Sequence, residues 1–343
     1  MASDLNGTKH AQKRRLGKTD VFVSRLGYGG TALAGPSAPP TEAVISAAFD
    51  QGIRYFDTSP FYGSGLSEHR LGTALRTVPR GDYVLSTKVG RIFSPDLDAE
   101  GCAEAGKLPF KFEFDYSRPG TIRSFEDSLQ RLGLARIDFL IIHDVSHRWH
   151  GDGFVSALAR ATTEALPALI ELKEAGLIGA IGLGTNDLLA AVPMAAHGGL
   201  DCVMIAREYN LLNHRDLLAD LAPICAEKGI SLLCAAPYAS GILATGLTEG
   251  ATYMYAPPDT GMRQKVMTIQ AVCKDFGVPL PAAALQFADL NPLVASVVAG
   301  LRNQSELFAA IEAFNHPIPP DFWSRLKDLG LIHTDAPTQK EAA

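Results

Sequence analysis

Asp57, Lys88 and His143 each stand where an apolar, strand-like run stops, and Tyr62 follows Asp57 by five residues. A lysine in such a place is buried and needs an anion, which Asp57 supplies. An ammonium beside the Tyr62 phenol stabilises the phenolate and lowers a pKa that is ordinarily about 10. A tyrosine tuned this way can exchange a proton with an alcohol or carbonyl oxygen. His143 can hydrogen-bond the same oxygen and orient the substrate. Nothing in the set is an activated nucleophile, so it suits proton transfer coupled to a second event such as hydride transfer. Taken singly, Asp57 reads equally well as a cap, His143 as a satisfied core histidine, and Lys88 as a structural ion-pair partner. Their shared position at strand ends favours the catalytic reading.

The elements that must position them alternate regularly. Short apolar runs at 24–30, 53–59, 83–90, 137–144, 178–186, 201–207, 230–237 and 294–301 are each followed by a helical pattern. Those patterns span 41–51, 67–78, 119–133, 161–176, 187–197, 214–228, 262–276 and 304–315. Continuous apolar runs suit parallel strands covered on both faces. Gly52, Gly133, Gly176 and Gly229 stand just before the next strand, where glycine gives a left-handed helix end. Eight strand–helix units imply an α/β fold, a (β/α)8 TIM barrel forming a single domain over residues 13–334. A short N-terminal hairpin around Leu16–Val23 is expected to plug the barrel bottom. Extra helical pieces are expected at 281–290 and, after the barrel, at 319–330. Residues 1–12 and 335–343 are polar and aperiodic and read as flexible tails.

Three βα connections, 90–118, 144–160 and 238–261, are too long to be turns and lie on the active face of such a barrel. They are rich in rings, among them Phe110, Phe112, Phe114, Phe154, Tyr253 and Tyr255, and suggest a lidded, partly aromatic pocket. Phe61, Tyr116, Trp149, His150 and Tyr238 are the expected substrate-facing residues. Barrels often bind phosphate after strands seven and eight, on a helix N-terminus. Here those places hold Ser240-Gly241 and the run Gly300 to Glu306, which includes Arg302 and Asn303.

Two other patterns carry less. Gly27-x-Gly29-x-x-Ala32 resembles a dinucleotide fingerprint, but Pro36, Pro39 and Pro40 stand where its helix should begin. His143, Asp144, His147 and His150 fit no standard zinc spacing, so no metal is expected.

The 343 residues carry a net charge of −6 and no long basic run, which argues against nucleic acid as a partner. No stretch approaches the length of a membrane span, and the N-terminus lacks the apolar core of a signal peptide. The cysteines, Cys102, Cys202, Cys225, Cys234 and Cys273, are odd in number and widely spaced. They fit buried free thiols in a reducing, cytoplasmic compartment. A homodimer is compatible with the sequence.

The run Asp57-Thr58-Ser59-Pro60-Phe61-Tyr62-Gly63, with Glu68 and Leu71-Gly72 after it, resembles the first signature of the aldo-keto reductase superfamily. Ser86-Thr87-Lys88 resembles its lysine strand, and Leu140-Ile141-Ile142-His143 its histidine strand. The resemblance covers residues 15–315 and implies a barrel that binds NAD(P) in extended form. It also implies a tetrad of Asp57, Tyr62, Lys88 and His143, with Tyr62 transferring the proton. Phe114-Asp115-Tyr116-Ser117 and Ile142-His143-Asp144-Val145, with His150-Gly151, resemble the aldose dehydrogenase branch. Members of that branch oxidise a cyclic hemiacetal, of an aldose such as L-fucose or of pyridoxal, to its lactone. The family's Ser-Asn pair for the carboxamide falls on Thr185 and Asn186. Its strand-six glutamine is Ala206, and its stacking aromatic is Ala235, with Tyr238 three residues on. Glu306 falls near the adenosine ribose, where a carboxylate repels a 2′-phosphate; Arg302 argues the other way. The resemblance thus implies NAD as cofactor rather than NADP, and a small sugar or pyridoxal as substrate. Competing readings on the same residues are a general aldehyde or ketone reductase, a redox-sensing NAD(P)-binding subunit, and an aldolase with Lys88 as Schiff-base nucleophile.

Overall fold

The computed structural model describes residues 7–35, 41–100, 106–254 and 256–338. Cys102, Tyr255, the prolines at 36, 39 and 40, and the outer parts of both expected tails lie outside the described residues.

Eight strands close into a barrel. In chain order they are β1 (Leu26–Gly29), β2 (Tyr55–Asp57), β3 (Val84–Val89), β4 (Phe139–His143), β5 (Ala180–Thr185), β6 (Cys202–Ala206), β7 (Ser231–Ala235) and β8 (Val294–Gly300). Every neighbouring pair is parallel, and β8 closes on β1. The sequence dictates this because the strands are apolar on both sides. Their inward residues fill the barrel, as with Tyr55, Phe139, Ile141, Met204 and Leu233. Their outward residues pack under the helices, as with Phe56, Leu85, Leu140 and Leu183. Gly52, Gly133, Gly176 and Gly229 all have positive φ and turn each helix back into the next strand.

The expected N-terminal hairpin is present, with Lys13–Arg15 pairing antiparallel to Phe22–Ser24. It brings Leu16 and Val23 into the core inside the barrel. The extra helices fall at Leu280–Asp289 and Pro320–Asp328. Among the described residues no helix is long and apolar enough to cross a membrane.

Three details differ from expectation. The stretch 7–12, read as loose tail, packs down: His10 is buried and hydrogen-bonds the Gln51 carbonyl at 2.7 Å and Asn315 at 2.8 Å. Ala336 and Thr338 are likewise buried. Single polar residues with partners across the fold hide from a composition-based reading. The helix expected at 161–176 starts earlier, at Phe154, and runs to Glu174 through a π turn at Ala161–Ala165. The long connection after β3 contains a second hairpin, Arg91–Pro95 against Phe110–Phe114, standing over the barrel mouth.

Candidate active site

The C-terminal ends of β2, β3 and β4 bring the expected tetrad together. In the β2–β3 register Asp57 lies opposite Ser86. Side chains two apart on a strand share a face, so Lys88 reaches the same carboxylate. Lys88 Nζ donates to Asp57 Oδ1 at 2.9 Å and Oδ2 at 2.7 Å, and to the Thr58 carbonyl at 2.8 Å. Ser86 Oγ donates to Asp57 Oδ1 at 2.7 Å and meets the Tyr55 hydroxyl at 3.0 Å. Burial raises the Asp57 carboxyl, while Lys88 and Ser86 act the other way. Donors on both oxygens suit an ionised carboxylate. Burial works against the Lys88 ammonium too, but Asp57 and Tyr62 outweigh it and raise its pKa. A permanently charged Lys88 opposes the aldolase reading, which needs a neutral amine.

Tyr62 sits in the loop between β2 and the helix Leu66–Leu75, with Lys88 Nζ 4.8 Å from its ring centre. Lys88, and Thr31 in the short 3-10 turn after β1, act on its hydroxyl to favour the phenolate. The net effect on the phenol corrects the sequence reading. Burial pushes its pKa up, and Lys88 offsets this only in part. The phenol keeps an exposed edge on the cavity, yet its oxygen lies within the barrel mouth, where desolvation dominates.

The His143 ring lies edge-on to Tyr62 at 6.1 Å. Its Nδ1 meets the Ser59 hydroxyl at 3.2 Å and the Arg91 guanidinium at 2.7 Å. Burial first, then Arg91 and Lys88, push the imidazole well below its ordinary pKa. His143 is therefore a neutral hydrogen-bonding group facing the same cavity as Tyr62.

Glu68 braces this corner from behind. It is fully buried, accepts from Thr87 at 2.6 Å and pairs with Arg131 at 2.5 Å. The family-like Glu68 is thus structural.

A cavity of about 1280 Å³ opens from the tetrad. It extends past Thr185, Asn186 and Tyr238 to Ser240, Gly241, Gly300, Arg302 and Glu306. Single small-molecule sites take about 300–1000 Å³, so there is room for a long cofactor and a small substrate together. Gly241 has φ +101, and a Cβ there would meet nothing within 4 Å. Its backbone is thus open to a ligand, as a phosphate contact requires. The residues present fit a dinucleotide along this path. Thr185 Oγ1 donates to the Val145 carbonyl and accepts from the Asp187 amide. Among the described residues Asn186 has no side-chain hydrogen bond, so its amide is the one available to a carboxamide.

Other expected contacts are placed differently. Asn303 does not line the cavity; it caps the helix Gln304–Asn315, accepting from the Glu306 amide at 2.9 Å. Tyr116 is buried and donates to the His143 carbonyl at 2.8 Å, and His150 meets its hydroxyl at 3.1 Å. These two support β4 from outside the cavity. Phe61, Trp149 and Tyr238 do line it. His147 pairs with Asp187 and stacks on Phe154. Among the described residues no group of three or more His, Cys, Asp or Glu could hold a metal.

Sequence reasoning missed Thr31, Arg91 and Arg148. Arg148 lines the cavity beside Trp149. Arg91 opens the hairpin after β3, and only its fold neighbours reveal it.

Comparison with known proteins agrees with this architecture. The Aldo/keto reductase family model matches residues 25–330, and the chain belongs to that family. It is similar to pyridoxal 4-dehydrogenase of Microbacterium luteolum, at 35% identity over 94% of this chain and 99% of that protein. D-threo-aldose 1-dehydrogenase of a Pseudomonas species is 35% identical, over 92% and 96%. L-galactose dehydrogenase of Arabidopsis thaliana is 31% identical, over 86% and 85%. Among solved structures, the holo form of an aldo-keto reductase from Bacillus halodurans superposes with TM-score 0.72 at 25% identity, covering 92% of this chain and 95% of that one. The protein is an NAD(P)-dependent oxidoreductase.

Proposed function

We propose that the enzyme oxidises the cyclic hemiacetal of a small sugar, or of pyridoxal, to its lactone with NAD. The observation that carries this is the Lys88 ammonium, clamped by Asp57 and set against the Tyr62 phenol. Tyr62 as phenolate takes the proton of the hemiacetal hydroxyl, with Lys88 balancing its charge. His143 donates a hydrogen bond to the same oxygen as it becomes the lactone carbonyl. A bound nicotinamide supplies the acceptor for the hydride that leaves the adjacent carbon. Asn186 holds its carboxamide, and Gly241 with the turn around Arg302 holds its phosphates. The walls formed by Phe61 and Trp149 suit a ring-shaped substrate. The names of the similar dehydrogenases favour this substrate class.

NAD is favoured over NADP by Glu306. Arg302, which could hold a 2′-phosphate, instead spends its guanidinium on Glu306, at 2.8 Å from Nε and 2.6 Å from Nη2. The buried free thiols of Cys202, Cys225, Cys234 and Cys273 favour a cytoplasmic setting.

The test is a screen of purified protein with NAD, following NADH absorbance across L-fucose, L-galactose, D-arabinose and pyridoxal. Reduction of simple aldehydes is run beside it. Turnover of at least one hemiacetal well above aldehyde reduction is expected, and the reverse ranking overturns the reading.

A further inference from the structure

Arg91 is a fixed cation that the chemistry above does not use. It is 2% exposed and does not line the cavity. Its two terminal nitrogens form a fork: Nη1 lies 2.7 Å from His143 Nδ1, and Nη2 lies 2.7 Å from Asp144 Oδ2. The rings of Phe61, Phe114, Phe112 and Trp149 surround it, with centres 4.2, 4.6, 5.0 and 5.0 Å from the guanidinium carbon. Asp144 has φ +55, a conformation that costs energy outside glycine. It is held there by Arg91 and by its own amide, which donates to the Gly184 carbonyl at 2.8 Å.

A guanidinium has only donors and does not deprotonate in proteins. His143 Nδ1 must therefore accept. A neutral imidazole carries one proton, so that proton sits on Nε2. The groups facing the ring agree. Lys88 on β3 and Arg91 both oppose a second positive charge, and Ser59 offers Nδ1 another hydroxyl. Tyr62 faces the ring edge. The Asp144 carboxylate, 3.5 Å from Nε2, would favour protonation, but Arg91 neutralises it.

We propose that Arg91 is a positioning residue that locks His143 as the neutral Nε2–H tautomer, making it a permanent donor to the reacting oxygen. The proposal rests on the role given to His143 above. A histidinium there would be an acid competing for the Tyr62 phenolate. The other neutral tautomer would present a lone pair to an oxygen that needs a donor. Aromatic rings around Arg91 keep water from solvating it, so the fork is spent on His143 and Asp144 alone among the described residues.

The test is a 1H–15N spectrum of protein labelled on histidine, with variants Arg91→Met and Arg91→Lys. In the wild type, His143 is expected to show the neutral Nε2–H pattern unchanged from about pH 5 to 9. In Arg91→Met its titration should move to higher pH than in the wild type, because a repelling cation is lost and Asp144 is released, while burial still acts against the charged form. The kcat should fall about a hundredfold near pH 6 and recover in part at higher pH, with KM for NAD within a factor of about three. Arg91→Lys keeps one donor and should fall between. A wild-type proton on Nδ1, or a wild-type His143 that titrates near its ordinary value, overturns the proposal even if neither variant folds. So does a pH profile unchanged in Arg91→Met. The spectrum needs no substrate, so a wrong substrate reading fails the hemiacetal screen and leaves the spectrum intact.

Discussion

Lys88 and Asp57 meet through two hydrogen bonds, at 2.9 and 2.7 Å, across adjacent strands and almost fully out of solvent. Such a pair is costly to form and far costlier to break, because the surviving charge is stranded. Here the cost yields a cation that cannot leave the phenol it serves. Asp57→Asn should lower kcat by about a hundredfold or more and destabilise the fold by about 3–5 kcal/mol. Steady-state kinetics and denaturant unfolding read the two effects separately. An active, equally stable Asp57→Asn would remove this pair from the mechanism.

Tyr62→Phe removes the proton acceptor and keeps the ring. We expect kcat to drop by about three orders of magnitude or more, while NADH binding, followed by fluorescence, stays within a factor of about two. Substantial remaining turnover would assign the proton to another group.

Burial raises the Tyr62 pKa above its ordinary value. The phenolate is the form that accepts a proton, so its fraction grows as pH rises. Oxidation should therefore accelerate through the neutral and alkaline range without levelling off below the usual tyrosine value. Reduction, which needs the neutral phenol, should stay level over the same range. A rate of oxidation that is independent of pH, with the chemical step shown to be rate-limiting by a substrate isotope effect, would contradict this.

The barrel and the tetrad were legible in the sequence for a shared reason. Each strand is a continuous apolar run, and Asp57, Lys88 and His143 interrupt those runs at their ends. Arg91 was not legible: its partners are 52 and 53 residues away, and nothing local marks it as buried. Tyr116 and His150 misled for the opposite reason. Rings in a long loop look like pocket walls, yet the Tyr116 hydroxyl reaches back to the His143 carbonyl and fixes the pair behind β4. The alternation of Phe110, Phe112 and Phe114 did carry a strand signal for the second hairpin, with period two. The direction of the Tyr62 shift depends on the balance of burial against Lys88, which spacing alone does not weigh.

Cofactor choice should turn on the Arg302–Glu306 pair. Glu306→Ala removes the carboxylate and releases a guanidinium that lies at the cavity edge. The ratio of kcat/KM for NADP over NAD should rise by about tenfold to a hundredfold. A ratio that does not move would place the ribose elsewhere.

The opposite end of the barrel offers a control for stability without catalysis. Asp289 ends the helix before β8 and is fully buried. Arg25, just before β1, forks onto both its oxygens, Arg14 of the N-terminal hairpin reaches Oδ1 at 3.2 Å, and Lys9 lies 3.6 Å from Oδ2. One carboxylate thus ties together the hairpin, the entry to β1 and the helix that precedes β8. Asp289→Ala would leave Arg25, itself 3% exposed, without its counter-ion. A buried charge so stranded costs about 3–5 kcal/mol, which should appear as a lower unfolding midpoint in urea. Residues at this end of a barrel serve stability and not chemistry, so kcat per folded molecule should stay within a factor of about two. A variant with normal stability and impaired turnover would reverse that division of labour.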